Sequence, residues 1–269
     1  MIQDISPSRL DNSFRPVTPE PDDFILHFDP EGRLLTCGTG QELTFPSCAA
    51  DPSAIYLFSV DEQRYFLSRM TAPEAPEGAS YRTVRELRDN FSGKELYAAF
   101  TAFHLWKWYS DNRFCGKCGA ELVPDSSERA LACPLCGGKI YPRINPAVIV
   151  GVTNGDRILI TRYRRGYAHN ALVAGFTEIG ETLEQTVERE VMEETGVRVK
   201  NIRYYKSQPW GMAQDILVGF FCDADGGEIH MDENELKYAE WVCRPDIVLQ
   251  PYDLSLTNEM MKVFRDGLI

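Results

Sequence analysis

The chain has 269 residues, of which 43% are hydrophobic and 11% aromatic, and its formal net charge is −12. That length accommodates two or three modules, and the composition suits a well-cored globular protein rather than a disordered one. The acidic balance excludes broad, salt-driven binding to a nucleic-acid backbone, but leaves room for a small phosphorylated ligand held by a local basic pocket or by metal ions.

No stretch approaches the roughly 18 apolar residues of a membrane helix. The opening "MIQDISPSRLDNSFRP" lacks the basic start and apolar run of a signal peptide, so the expectation is a cytoplasmic protein without membrane contact. Its eight cysteines then call for a reduced-state explanation before disulfides.

After a polar, proline-punctuated start, "FILHFD", "RLLTC", "AIYLFSV" and "YFLSRM" read as short strands from Phe24 onward, followed by the loop "TAPEAPEGAS". Leu96, Ala99, Phe100, Phe103 and Trp106 recur at helical spacing and predict an amphipathic helix over 94–109, whose aromatic stripe reads as core or interface. From Asn145, "PAVIVGVT" and "RILITRY" read as strands joined by the turn "NGD". "ALVAGF" leads into a helix, "DILVGFFCDA" and "AEWV" are further strands, and "TNEMMKVFRDGLI" is a closing helix. The pattern predicts an α/β fold with three segments: an N-terminal α+β domain over 1–110, a metal ribbon over 111–142 and a mixed-sheet domain over 143–269.

Cys115-Gly-Lys-Cys118 and Cys133-Pro-Leu-Cys136 form a paired CxxC arrangement in a segment with little apolar material. Two such knuckles present four thiolates to a tetrahedral Zn²⁺, leaving no open position for catalysis, so the metal is read as structural. Cys37, Cys48, Cys222 and Cys243 show no ligand spacing and read as core or surface thiols. The ribbon's Lys117, Arg129 and Lys139 are balanced by Glu121, Asp125 and Glu128, which gives little support for duplex binding.

Thr182 followed by Gln185 is a capping-box signal and Gly196 a stop signal, so a helix is expected between them. Leu183, Val187 and Val191 should bury one stripe against a sheet. Glu190, Glu193 and Glu194 fall at i, i+3 and i+4 and share a face. At an effective dielectric near 20, each close pair repels by on the order of 3 kcal/mol. Exposed, such a trio is an ordinary solvated face; packed beside an apolar stripe it needs a divalent cation, and carboxylate oxygens suit Mg²⁺ or Mn²⁺.

The surrounding spacing is Gly175-x5-Glu181-x7-Arg189-Glu190-Val191-x-Glu193-Glu194-x-Gly196-Val197, which resembles the Nudix signature at all nine specified positions. That resemblance implies an α/β/α sandwich with a mixed sheet and hydrolysis of a nucleoside diphosphate linked to another group. It implies that Glu190, Glu193 and Glu194 ligate the metals, that Glu181 supports them and that Arg189 orients the carboxylates. It leaves the general base open.

A zinc ribbon before such a domain, with a further N-terminal domain, is similar to the NADH pyrophosphatase subfamily, marked by a second motif SQPWPFPxS. Here Ser207, Gln208, Pro209 and Trp210 match, while "GMAQD" replaces the remainder. The resemblance implies that Tyr141, Phe176 and Glu128 contact substrate, that Glu235 completes metal coordination and that the Ala174 carbonyl reaches a metal. The plainer alternatives are core aromatics for Tyr141, Phe176 and Trp210 and a solvated loop charge for Glu235. Arg162, Arg164 and Arg165 read either as a phosphate-attracting run or as a solvated strand edge.

The implied reaction splits NAD(H) into AMP and nicotinamide mononucleotide, with NAD-capped RNA as a further substrate and a homodimer as the assembly. Two alternatives stay open: a hydrolase of ADP-ribose or another nucleotide sugar, suggested by "GMAQD", and a non-catalytic nucleotide-sensing module, against which the full carboxylate set argues.

Overall fold

The computed structural model describes residues 1–38, 42–47, 51–165 and 169–269; Cys48 lies outside them. The chain forms two compact units: Ile2–Arg143 with Trp210–Gln214, and Ile144–Pro209 with Asp215–Ile269 and Met1.

In the first unit, β1 (Leu10–Asp11), β2 (Phe24–Leu26), β4 (Ile55–Val60) and β5 (Gln63–Leu67) make a sheet in the order β1-β4-β5-β2. β3 (Leu34–Thr36) pairs with β6 (Ser80–Arg82). Helix α1 (Val84–Asn90) opens on a capping box, with Thr83 and Glu86 satisfying each other's backbone N–H groups. At seven residues it is too short to have shown a helical period in the sequence.

Helix α2 (Lys94–Asp111) contains the predicted 94–109 segment. Its stripe is core: Leu96, Ala99 and Phe100 are buried, and Trp106 stacks on Phe28 with ring centroids 4.9 Å apart. β7 (Val123–Pro124), β8 (Leu131–Ala132) and β9 (Lys139–Ile140) form the small antiparallel sheet of the cysteine segment. Arg129 fastens that segment to the N-terminal strands, donating to the backbone and side-chain oxygens of Asn12 and to the Leu57 carbonyl.

The second unit is a six-stranded mixed sheet between two helices. β10 (Asn145–Asn154) runs parallel to β14 (Asp215–Ala224) and antiparallel to β12 (Val173–Phe176). β11 (Arg157–Tyr163) meets β10 only beside the turn, at Thr153–Asn154, and pairs along its length with β15 (Leu236–Cys243). The expected hairpin is therefore a short ribbon that opens to admit β12. β13 (Val199–Trp210) forms the edge beyond β14.

Alternation on β10 explains the two layers. Val148, Val150 and Val152 join Val187 and Val191 of α3 (Leu183–Thr195), while Ile149 faces Leu256, Met260 and Phe264 of α4 (Leu256–Arg265). A strand buried on both faces reads as an unbroken apolar run, as "AVIVGV" does. No helix among the described residues is long and apolar enough to cross a membrane.

Candidate active site

Helix α3 starts and stops where its residues dictate. The Thr182 hydroxyl accepts from the Gln185 N–H at 3.2 Å, and the Gln185 side chain accepts from the Thr182 N–H at 2.8 Å. Gly196 ends the helix at φ 69°, the left-handed conformation that favours glycine. Val187 and Val191 are fully buried, and this fixes the rotation of the helix and hence the direction of its carboxylates.

Those carboxylates meet different fates. Glu194 is only 3% exposed and has no Lys or Arg partner among the described residues. Its carboxylate accepts from the Tyr163 hydroxyl, which lies 3.1 and 3.2 Å from the two oxygens. Burial, then the charges of Glu190 and Glu235, push its pKa up to about 8. Glu190 is half-buried, and desolvation raises its pKa against the opposing pull of Arg189. Glu193 points outward, with its side chain 60% exposed and 3.0 Å from Arg189.

Arg189 gathers the rest. It contacts Glu181 at 2.6 and 2.9 Å, Glu190 at 2.8 Å and the Phe176 carbonyl at 2.9 Å. Glu181, which also accepts from the Thr186 hydroxyl at 2.9 Å, is held down to about 2, chiefly by Arg189. Gly175 makes room for this cluster: a Cβ there would lie 1.9 Å from the Glu190 carboxyl carbon. Phe176, at the end of β12, is 53% exposed.

Glu235 is exposed in a loop tied to α3, because the Asp232 N–H donates to the Glu194 carbonyl at 2.9 Å. Glu190, Glu194 and Glu235 thus converge by charge, with the Ala174 backbone hydrogen-bonding near Glu194. Among the described residues this trio does not close to the 4.8 Å spacing that the four cysteines reach. A buried carboxylate without a cation, beside two more carboxylates and a backbone carbonyl, is an all-oxygen donor set that fits a hard divalent ion.

The second motif lies on β13 and alternates as a strand should. Ser207 and Pro209 are exposed, while Gln208 is fully buried. The Gln208 amide donates to the Leu254 carbonyl at 2.9 Å, and its oxygen accepts from the Leu256 N–H at 2.7 Å. Its side chain therefore anchors the start of α4. Trp210 packs edge-on against Phe100, with centroids 5.3 Å apart.

"GMAQD" has its own logic. A Cβ at Gly211 would sit 2.0 Å from the Phe100 carbonyl oxygen, so no larger residue fits there. Asp215 is 5% exposed, and burial pushes its carboxyl up to about 6. The basic run is largely spent on the fold: Arg162 donates to Asn170 at 2.7 Å and lies over the Tyr238 ring, and Arg164 donates to the Glu233 carbonyl.

In the first unit the four Sγ atoms of Cys115, Cys118, Cys133 and Cys136 lie within 4.8 Å of one another, with closest pairs at 3.4 and 3.6 Å. Tetrahedral zinc with bonds of about 2.3 Å requires edges of about 3.8 Å, so the site fits zinc. Nearby, Glu128 accepts from Lys139 at 2.6 Å and from the Tyr141 hydroxyl at 3.1 Å, and Tyr141 is 54% exposed. Sequence reasoning missed Tyr163, which is 31 residues from Glu194 and carries no motif signal.

A NUDIX domain profile matches residues 143–263, and an NADH pyrophosphatase zinc ribbon domain profile matches residues 110–141. The chain is 41% identical over 183 residues to the NAD-capped RNA hydrolase NudC of Shigella dysenteriae serotype 1, covering 67% of this chain and 70% of that protein. It is 44% identical over 150 residues to the protein of the same name from Escherichia coli O1:K1, covering 55% of this chain and 58% of that one. A crystal structure of a NUDIX hydrolase from Nitrosomonas europaea matches with a TM-score of 0.51 at 20% identity, covering 58% of this chain and 91% of that chain, a likeness of fold alone. The chain belongs to the Nudix hydrolases, in the family that carries the NADH pyrophosphatase zinc ribbon.

Proposed function

We propose that this protein hydrolyses the pyrophosphate bond of NAD(H), giving AMP and nicotinamide mononucleotide, and removes NAD caps from RNA. The observation that carries the reading is the buried Glu194 carboxylate, held beside Glu190 and Glu235 without a cationic partner. The substrate class rests on the names of the relatives at 41% and 44% identity.

Glu190, Glu193, Glu194, Glu235 and the Ala174 carbonyl would hold Mg²⁺ or Mn²⁺. When bound, such an ion neutralises charge on the pyrophosphate and lowers the pKa of water. Arg189 and Glu181 keep the carboxylates in register, and the open ring of Phe176 offers a stacking face for a base. Water adds at one phosphorus, the bridging P–O bond breaks, and each mononucleotide leaves with its own phosphate. Tyr141 and Glu128, a hydrogen-bonded pair in the ribbon, are assigned to substrate binding, as are Ser207, Gln208, Pro209 and Trp210 of the second motif, on the family resemblance.

A cytoplasmic location suits four zinc-binding thiolates, and a homodimer is the assembly that the resemblance implies. The segment "GMAQD", which replaces the rest of the second motif, keeps open a second reading in which ADP-ribose is the better substrate. Incubation with NADH and Mn²⁺, with products identified by mass, tests the first reading: AMP plus the reduced mononucleotide supports it, and intact NADH overturns it.

A further inference from the structure

We infer that Tyr163 is a positioning residue for the divalent-metal site, its hydroxyl tying the Glu194 carboxylate to the Ala174 peptide. This inference rests on the proposed reading of Glu194 and Ala174 as metal ligands.

Tyr163 is the last residue of β11, and the register between β11 and β15 shifts between Arg162 and Tyr163. A bulge of this kind re-aims the side chain that follows it. The half-buried Tyr163 brings its hydroxyl to 3.1 and 3.2 Å from the two Glu194 oxygens. The same oxygen lies 3.1 Å from the Ala174 nitrogen and 3.4 Å from the Ala174 carbonyl.

The polarity of this relay is fixed. The Ala174 N–H can only donate, so the phenol oxygen accepts from it and the phenol proton is left for the carboxylate. One hydroxyl therefore ties the proposed ligand Glu194 on α3 to the peptide N–H of Ala174, the residue on β12 whose carbonyl is the other proposed ligand.

A neutral donor is what this place needs. Arg or Lys beside Glu194 would compete with a metal ion for the carboxylate, whereas a neutral phenol orients the group without occupying the place of the cation. Outer hydrogen bonds of this kind set ligand geometry, and their loss costs about 10–100-fold in metal affinity.

Tyr163→Phe keeps the ring and removes only the hydroxyl. Mn²⁺ affinity, read from the electron paramagnetic resonance signal of the free ion, should weaken about tenfold in this variant. The melting temperature without added metal should stay close to the parent's, and excess Mn²⁺ should restore NADH turnover. In a Glu194→Gln background, Tyr163→Phe should change Mn²⁺ affinity no further, since the charged carboxylate that the hydroxyl orients is already gone. Unchanged Mn²⁺ affinity in Tyr163→Phe overturns the proposal. So does an equal loss in both backgrounds, or a lowered melting temperature with affinity intact, which would assign the hydroxyl to the fold alone. If Glu194→Gln itself binds Mn²⁺ and hydrolyses NADH like the parent, the metal-site reading fails and this inference fails with it; a neutral Tyr163→Phe beside an inactive Glu194→Gln removes only the inference.

Discussion

Arg189 clasps both oxygens of Glu181, Nε to Oε1 at 2.6 Å and Nη2 to Oε2 at 2.9 Å, while its remaining nitrogen reaches Glu190. Only a planar guanidinium spans these acceptors at once. Arg189→Lys should therefore leave the fold intact and lower kcat/KM by about 100-fold, the scale of a misplaced catalytic group. Steady-state kinetics with NADH, beside circular dichroism, check this.

Glu194 sets a pH dependence. Without added Mg²⁺ or Mn²⁺, the folded protein keeps its proton up to about pH 8, whereas the unfolded chain releases it near 4.5. Between these values the native state binds more protons than the unfolded one, so this group lowers stability as pH rises. Glu194→Gln removes that contribution. Its melting temperature should rise relative to the parent's between about pH 5 and about pH 8, measured by scanning fluorimetry. In the parent, metal binding expels the proton, so Mn²⁺ affinity should increase with pH over the same window.

Gly175→Ala should separate activity from stability. The new Cβ would collide with the Glu190 carboxyl, the end of a side chain that can swing away at modest energetic cost. The expected result is a loss of about 100-fold or more in kcat with little change in melting temperature. Activity at the parent's level would mean that the position of Glu190 is immaterial.

Cys133→Ser should empty the ribbon. Structural zinc supplies roughly 10–16 kcal/mol of apparent binding energy in small domains, and this segment's core is small: Trp108, Cys115, Leu122, Leu131 and Cys133. Elemental analysis should give one zinc per parent chain and none in the variant. Limited proteolysis should then cut within residues 115–140.

Much of this was legible in the sequence because the signals are local. Thr182 with Gln185, Gly196, the valine stripe and the paired CxxC knuckles are each set by neighbours a few residues away, and each appears where its spacing predicts. What escaped depends on tertiary context. β13 reads "VKNIRYYKSQPW", and as a sheet edge with many exposed positions it lacks an apolar run. Gln208 carried a motif, but its burial and its bonds to Leu254 and Leu256 arise only once α4 docks. Tyr163 reaches Glu194 only because β11 and α3 fold onto the same β10–β12 layer.

The most direct measurement is a competition in one vessel: NADH, NAD⁺, ADP-ribose and NAD-capped RNA at equal concentration with Mn²⁺, parent beside Glu194→Gln, with products followed by mass. The parent should consume NADH and the capped RNA, releasing AMP or an AMP-type 5′ monophosphate end together with the mononucleotide, while Glu194→Gln leaves all four intact. Turnover of ADP-ribose alone, or equal activity in the variant, would contradict the account.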